Sequence, residues 1–172
     1  MTQFDRRQAI LVELGSMLAA LVPTIVLTGT QGTPAGFATG GYVHNRNELP
    51  QGLVPGIILL DADELPGGTP VIPGRAQTRI APQIMKMTPE IYVVLDVRKP
   101  NNLNVGEDLD LARIAILQGI WTDQTLLNLV SSNGRIVVEA CVTDLARNRT
   151  MQGQLGISMS FYYPLLPNEI IG

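Results

Sequence analysis

The 172-residue chain holds one histidine, His44, and one cysteine, Cys141. A Ser-His-Asp or Cys-His relay would have to run through His44, which lies in a Gly/Pro-rich stretch without a neighbouring nucleophile or second metal ligand. His44 therefore reads as a solvated loop histidine. Cys141 falls inside an apolar alternation and reads as a small core or interface residue. A single cysteine makes neither an intrachain disulfide nor a metal cluster. Carboxylates gather twice. Asp61, Asp63 and Glu64 follow an apolar run and lack the glycine and spacing of a calcium loop, which leaves an acidic turn at a strand end. Glu107, Asp108 and Asp110 sit where a helix starts and complement its positive end. Arg147 and Arg149 bracket a turn, and Arg98 and Arg135 stand at strand ends. Four scattered arginines in a chain of net charge −3 leave no basic footprint for nucleic acid. They read as solvated turn charges or as ion pairs between subunits. No phosphate-binding Gly-x-x-x-x-Gly-Lys-Ser/Thr loop occurs. The expectation is a protein that is not an enzyme and carries no cofactor and no metal.

The elements that position these residues follow from periodicity. Ile10, Leu14, Met17, Leu18 and Leu21 recur at helical spacing, so a first helix is expected from Thr2 or Gln3 to Leu21, capped by Thr2 and ended by Pro23. Arg6-Arg7 before an apolar run resembles a secretory signal. Glu13 inside that run and Asp5 beside the arginines favour the amphipathic helix. No apolar run reaches the roughly 20 residues of a membrane span, and a soluble protein is expected. Residues 28–56 form a long Gly/Pro-rich loop, either an arm that orders on assembly or a disordered stretch. Ile57–Leu60 reads as a short strand, and 61–83 as a second long loop. Gln83–Val97 reads as a strand pair or one bent strand, with Pro89 marking a bulge, an edge or a bend. Asn104 and Glu107 form a capping box before a helix with the stripe Leu109, Ala112, Ile116, Leu117 and Ile120. Trp121 near its end is expected to anchor on the sheet. Thr122 or Asp123 caps a shorter helix carrying Leu126, Leu127 and Val130, closed by Asn133-Gly134.

At the C-terminal end, Leu155, Ile157, Met159, Phe161 and Tyr163 alternate with polar or small residues, as in a strand with one buried face. Before it, Ile136, Val138, Ala140 and Val142 are placed on one face of a partner strand, with Arg135, Glu139 and Cys141 on the other. The polar connection Asp144–Met151 makes the pair antiparallel, and the two strands are expected in the middle of an antiparallel sheet. The fold class is therefore α+β: an antiparallel or mixed β-sheet with helices packed on one face and long Gly/Pro-rich loops. One domain covers 1–172. Charged residues make up 16% of the chain, against about 25% usually. Surface buried by other subunits would account for that deficit.

The arginine-bearing first helix, His44-Asn-Arg-Asn47, Pro55-Gly-Ile-Ile-Leu-Leu-Asp-Ala-Asp-Glu64 and Thr88-Pro-Glu-Ile-Tyr-Val-Val-Leu95 occur in that order. The amphipathic helix follows, then Gly134-Arg-Ile-Val-Val-Glu139 and Gly156-Ile-Ser-Met-Ser-Phe-Tyr-Tyr163. In these phrases the chain resembles the tail terminator (tail completion) proteins of long-tailed bacteriophages. The resemblance implies a virion protein of the head-proximal tail end, assembled in the host cytoplasm. Its subunits would form a homo-oligomeric ring, a hexamer, that caps the tail tube and stops its polymerisation. The ring would dock the head–tail connector or neck protein, while DNA passes through the lumen without specific binding. The candidate subunit and tube contacts are Arg98, Arg135, Glu139, Asp144, Arg147, Arg149, Asp61, Asp63 and Glu64. Two other readings are a neck or stopper subunit and a monomeric module that binds a protein through an exposed sheet edge.

Overall fold

The first helix, α1 (Arg6–Leu21), starts where a carboxylate can take up a free backbone amide. The capping residue is Asp5, whose side chain accepts from the Gln8 amide at 3.1 Å, rather than the expected Thr2. A computed structural model describes residues 5–27, 35–36, 41–68, 83–96, 105–130, 134–144 and 152–165; Thr2 and Asn104 lie outside them. A 3-10 turn over Val22–Thr24, with Pro23 inside it, ends α1. Two further helices follow the sheet's first half: α2 (Val105–Thr122) and α3 (Gln124–Val130). Asp123 caps α3, its Oδ1 accepting from the amides of Thr125 and Leu126.

Nine strands are present among the described residues. The pair β1 (Val26–Leu27) and β2 (Ala35–Gly36) stands by itself. The main sheet holds β3 (Tyr42–His44), β4 (Gly56–Leu60), β5 (Glu64–Gly68), β6 (Gln83–Met87), β7 (Glu90–Asp96), β8 (Arg135–Asp144) and β9 (Gln152–Leu165). Its order is β3-β4-β7-β9-β6-β5, with β8 along the other side of β9, and only the β3–β4 pair is parallel.

The pairing registers simplify this. Met87 faces Phe161 and Glu90 faces Ser158, so β6 and β7 run along β9 without losing a residue across Thr88-Pro89. Pro89 thus marks the junction of one long strand, the second of the two expectations. On the far side of that strand, Leu60 faces Glu90 and Glu64 faces Met87, so β4 and β5 also lie end to end, with one extra residue over 61–63. The expected loops 28–56 and 61–83 contain β2, β3, a 3-10 turn at Gln51–Leu53, and β5. Proline and glycine content concealed β5, whose sequence is Glu-Leu-Pro-Gly-Gly. Edge strands tolerate such residues because one side of their backbone needs no ladder partner.

All three helices cover one face of the sheet: α2 and α3 pack on β9, α2 also on β7, and α1 on β3 and β4. The core beneath them joins Ile10, Leu14 and Leu18 of α1 and Leu109, Ile116 and Ile120 of α2 to Ile91, Val93, Leu155, Ile157, Met159, Phe161 and Tyr163. The apolar stripes expected for α1 and α2 face this core, with Met17 and Leu21 half-buried at its margin. Trp121 does not anchor on the sheet; it is 51% exposed, because it falls on the side of α2 away from the core stripe that includes Ile120. Leu127 is exposed as well.

The largest departure concerns β8. Among the described residues only β9 pairs with it, which makes β9 the interior strand and β8 an edge. Val138 faces Met159 and Ala140 faces Ser158, which leaves Glu139 as the extra residue of a bulge. Side chains alternate with a period of two, so one inserted residue exchanges the faces beyond it. Ile136 and Val138 lie on the helix side, opposite Phe161 and Met159. Ala140 and Val142 lie on the other side, opposite Ser158 and Gly156. The sequence reading that put all four on one face is corrected by that single residue. Cys141 is exposed rather than buried in a core.

Candidate interaction surface

The helix-free face of the sheet is built by the residues of β9 that alternate with its core positions: Gln154, Gly156, Ser158, Ser160 and Tyr162. Their small size leaves relief on that face. Toward one end, Tyr162 lies between Lys86 of β6 and Arg135 of β8, which are its cross-strand partners. The Arg135 guanidinium is 4.4 Å and the Lys86 ammonium 5.6 Å from the centre of its ring, both within cation–π range. Glu139 in the bulge reaches back over this group. Its Oε1 lies 3.1 Å from Lys86 Nζ and accepts from Ser160 Oγ at 2.6 Å. Because Ser160 spends its one proton there, Thr88 donates to Ser160 across 2.9 Å. The Ser160 hydrogen bond and then Lys86 hold the Glu139 carboxyl below its ordinary range, and the bond to Glu139 raises Lys86.

Toward the other end of β9 the same face opens into a groove of about 350 Å³. Gly156 and Ser158 form its floor, Tyr92 one wall, and Ala140 and Val142 the other. A Cβ at position 156 would come to 3.3 Å from the Tyr92 ring, so glycine sets the depth. Glu90, Asp144 and Gln154 add polar groups to the lining. Tyr92 donates to Glu90 at 2.5 Å. Val142 is 64% exposed.

A second apolar patch lies on the opposite side of the molecule. Leu111, Ile114 and Trp121 share one face of α2, roughly opposite the stripe that packs on the sheet, and all are exposed. The helix thus carries apolar residues both toward the core and away from it.

The nine residues expected at subunit contacts separate. Arg135 and Glu139 meet at Tyr162, and Asp144 lines the groove. Arg98, Arg147 and Arg149 lie outside the described residues. Asp61 joins a clamp at the far edge of the sheet. His44 Nε2 donates to its Oδ1 at 2.5 Å, Asn45 Nδ2 donates to its Oδ2, and its amide donates to Asn45 Oδ1. His44 is exposed, as expected, but it is a strand residue with a partner rather than a loop histidine; strand pairing brings Asp61 to it across 17 positions of sequence. Burial acts to raise Asp61, yet the bonds from Asn45 and His44, with the charges of His44 and Arg7, hold it below its ordinary value. Asp63 is exposed. Glu64 starts β5 and faces inward, accepting from the buried Tyr163 hydroxyl, so the acidic turn gives up one of its three members to the interior. Burial and then Glu64 push the Tyr163 phenol up.

Sequence reasoning set Tyr162 on the uncovered face of β9, but it missed Lys86, Tyr92 and Trp121 as surface groups. Only the small-residue run of β9 signalled a groove; the aromatic walls depend on which strands flank it. Among the described residues no three His, Cys, Asp or Glu side chains come close enough to hold a metal ion. None of the described helices is long and apolar enough to cross a membrane. Comparison with protein-family models and with curated protein sequences gives no match.

Proposed function

We propose that this chain is a structural subunit of a ring: a tail terminator that caps a phage tail tube, stops its growth and offers its other face to the neck. The observation that carries this reading is the presence of two unlike exposed apolar patches on opposite sides of the sheet. A ring closes through heterologous contacts, in which one patch meets a different patch of the next copy. A ridge on α2 bearing Leu111, Ile114 and Trp121 and a groove walled by Tyr92 and Val142 are such a pair. The α+β order and the phrases Thr88–Leu95 and Gly156–Tyr163 add the family resemblance. The acidic balance suits a lumen that lets DNA pass without holding it.

Negative-stain images of purified tail tubes with and without the protein, beside light scattering of the protein alone, test the reading. Six-fold rings, free or at tube ends, with arrest of tube growth are expected. Tubes that elongate undisturbed in excess protein would overturn it. A chain that also captures strand-forming peptides as a monomer would be a binding module using the β8 edge instead.

A further inference from the structure

We propose that the free edge of β8 pairs with β8 of a second copy, antiparallel and about a two-fold axis, with Arg135 of each copy opposite Asp144 of the other. Among the described residues β8 is a ten-residue strand hydrogen-bonded on one side only, whereas β3 at the other end of the sheet has three residues. A long bare edge is a template for another strand. Among the described strands, the one that matches its length and charge order is β8 itself.

Three features make this edge complementary to itself. Its ends carry opposite charges, Arg135 and Asp144. The bulge at Glu139 puts both on the helix-free face, since Arg135 faces Tyr162 and Asp144 faces Gln154. In an unbulged strand, residues nine apart would point to opposite faces and could not meet across a two-fold. The apolar residues then match in the same register. Val137 and Val142, both on the helix-free face, would lie opposite each other, and on the helix side Val138 would lie opposite Cys141. The one-residue shift acts equally on the edge hydrogen bonds. The segment 135–138 of one copy therefore presents its amides and carbonyls in step with 141–144 of the other. The two bulges sit together at the axis. Each dimer gains two Arg–Asp pairs and two Val–Val pairs, the cross-strand contacts that stabilise sheets. The contact is isologous, so it is separate from the unlike patches that would close a ring.

Val138→Cys tests the register. Opposite residues of an antiparallel pair have Cα atoms roughly 4.5–5.5 Å apart, within the range a disulfide spans. Mild oxidation should link the introduced thiol of one copy to Cys141 of the other and yield a covalent dimer on a non-reducing gel. Wild type should stay unlinked, because two Cys141 residues would be three positions out of register. Charge reversal tests the pairing: Arg135→Glu and Asp144→Arg should each abolish the dimer seen by light scattering, and the two together should restore it. A Val138→Cys chain that does not crosslink, or a double reversal no better than either single, overturns the inference. The outcome is distinct from the ring: six-fold rings without the crosslink remove this pairing alone, and crosslinked dimers that never cap tubes remove the ring alone.

Discussion

Strands β8 and β9 are neighbours of similar composition with opposite fates. β9 is paired along both sides and roofed by α2 and α3, and Leu155, Ile157, Met159, Phe161 and Tyr163, with Ser160, are almost wholly buried. β8 is paired along one side, and from Glu139 to Asp144 it is exposed on both faces. Alternation of apolar residues is present in both. What separates them is the position of the strand in the sheet and one inserted residue, which turns Val142 out onto the helix-free face. An alternating pattern reports that a strand has two unlike faces; the neighbours decide whether either face is covered.

Perturbing the covered strand should cost most. Phe161→Ala removes a fully buried ring and should destabilise the fold by about 3–5 kcal/mol in urea titration. At the entry to β8, a Cβ on Gly134 would lie 2.1 Å from the Tyr162 carbonyl and 2.2 Å from that of Val130. Gly134→Ala should therefore cost roughly 1–3 kcal/mol and shift the α3–β8 junction. Asp123→Ala removes the cap of α3 and should cost about 1 kcal/mol, read as a lower midpoint of helix loss by circular dichroism.

The Asp61 clamp adds a pH arm. Its carboxyl is held below the ordinary value of 3.8 in the folded chain. The clamp's contribution is thus complete above that value and lost as pH falls through the lowered one. Asp61→Asn should lower stability at neutral pH, and the gap to wild type should close as pH falls below the ordinary carboxyl value and through the lowered one. A gap that stays constant with pH would show that the carboxylate's charge is irrelevant there. Val142→Ala on the exposed strand should change stability by no more than about 0.5 kcal/mol when measured in dilute solution, where association does not contribute. A loss as large as that of Phe161→Ala would erase the contrast between the two strands.

Much of the fold was legible because it rests on local periodicity. The stripes of α1 and α2 and the alternation of β9 point to their buried faces wherever the elements end up, and these carry the α+β class. The cap of α1 was misplaced by a few residues because Thr and Asp are both favoured capping residues, and local sequence does not choose between Thr2 and Asp5. The candidate surface was much less legible. Glu139 and Lys86, His44 and Asp61, and Tyr163 and Glu64 are remote in sequence and meet through strand pairing. Pro66, Gly67 and Gly68 masked a strand whose place at an edge permits them. The amino-acid order by itself determined which side chains seek burial and with what period. Tertiary structure alone decided which strand lies at the edge, where the bulge falls, and hence that Arg135, Val142 and Asp144 share one open face. Face and neighbour are properties of pairing register, and register is set by contacts between distant segments.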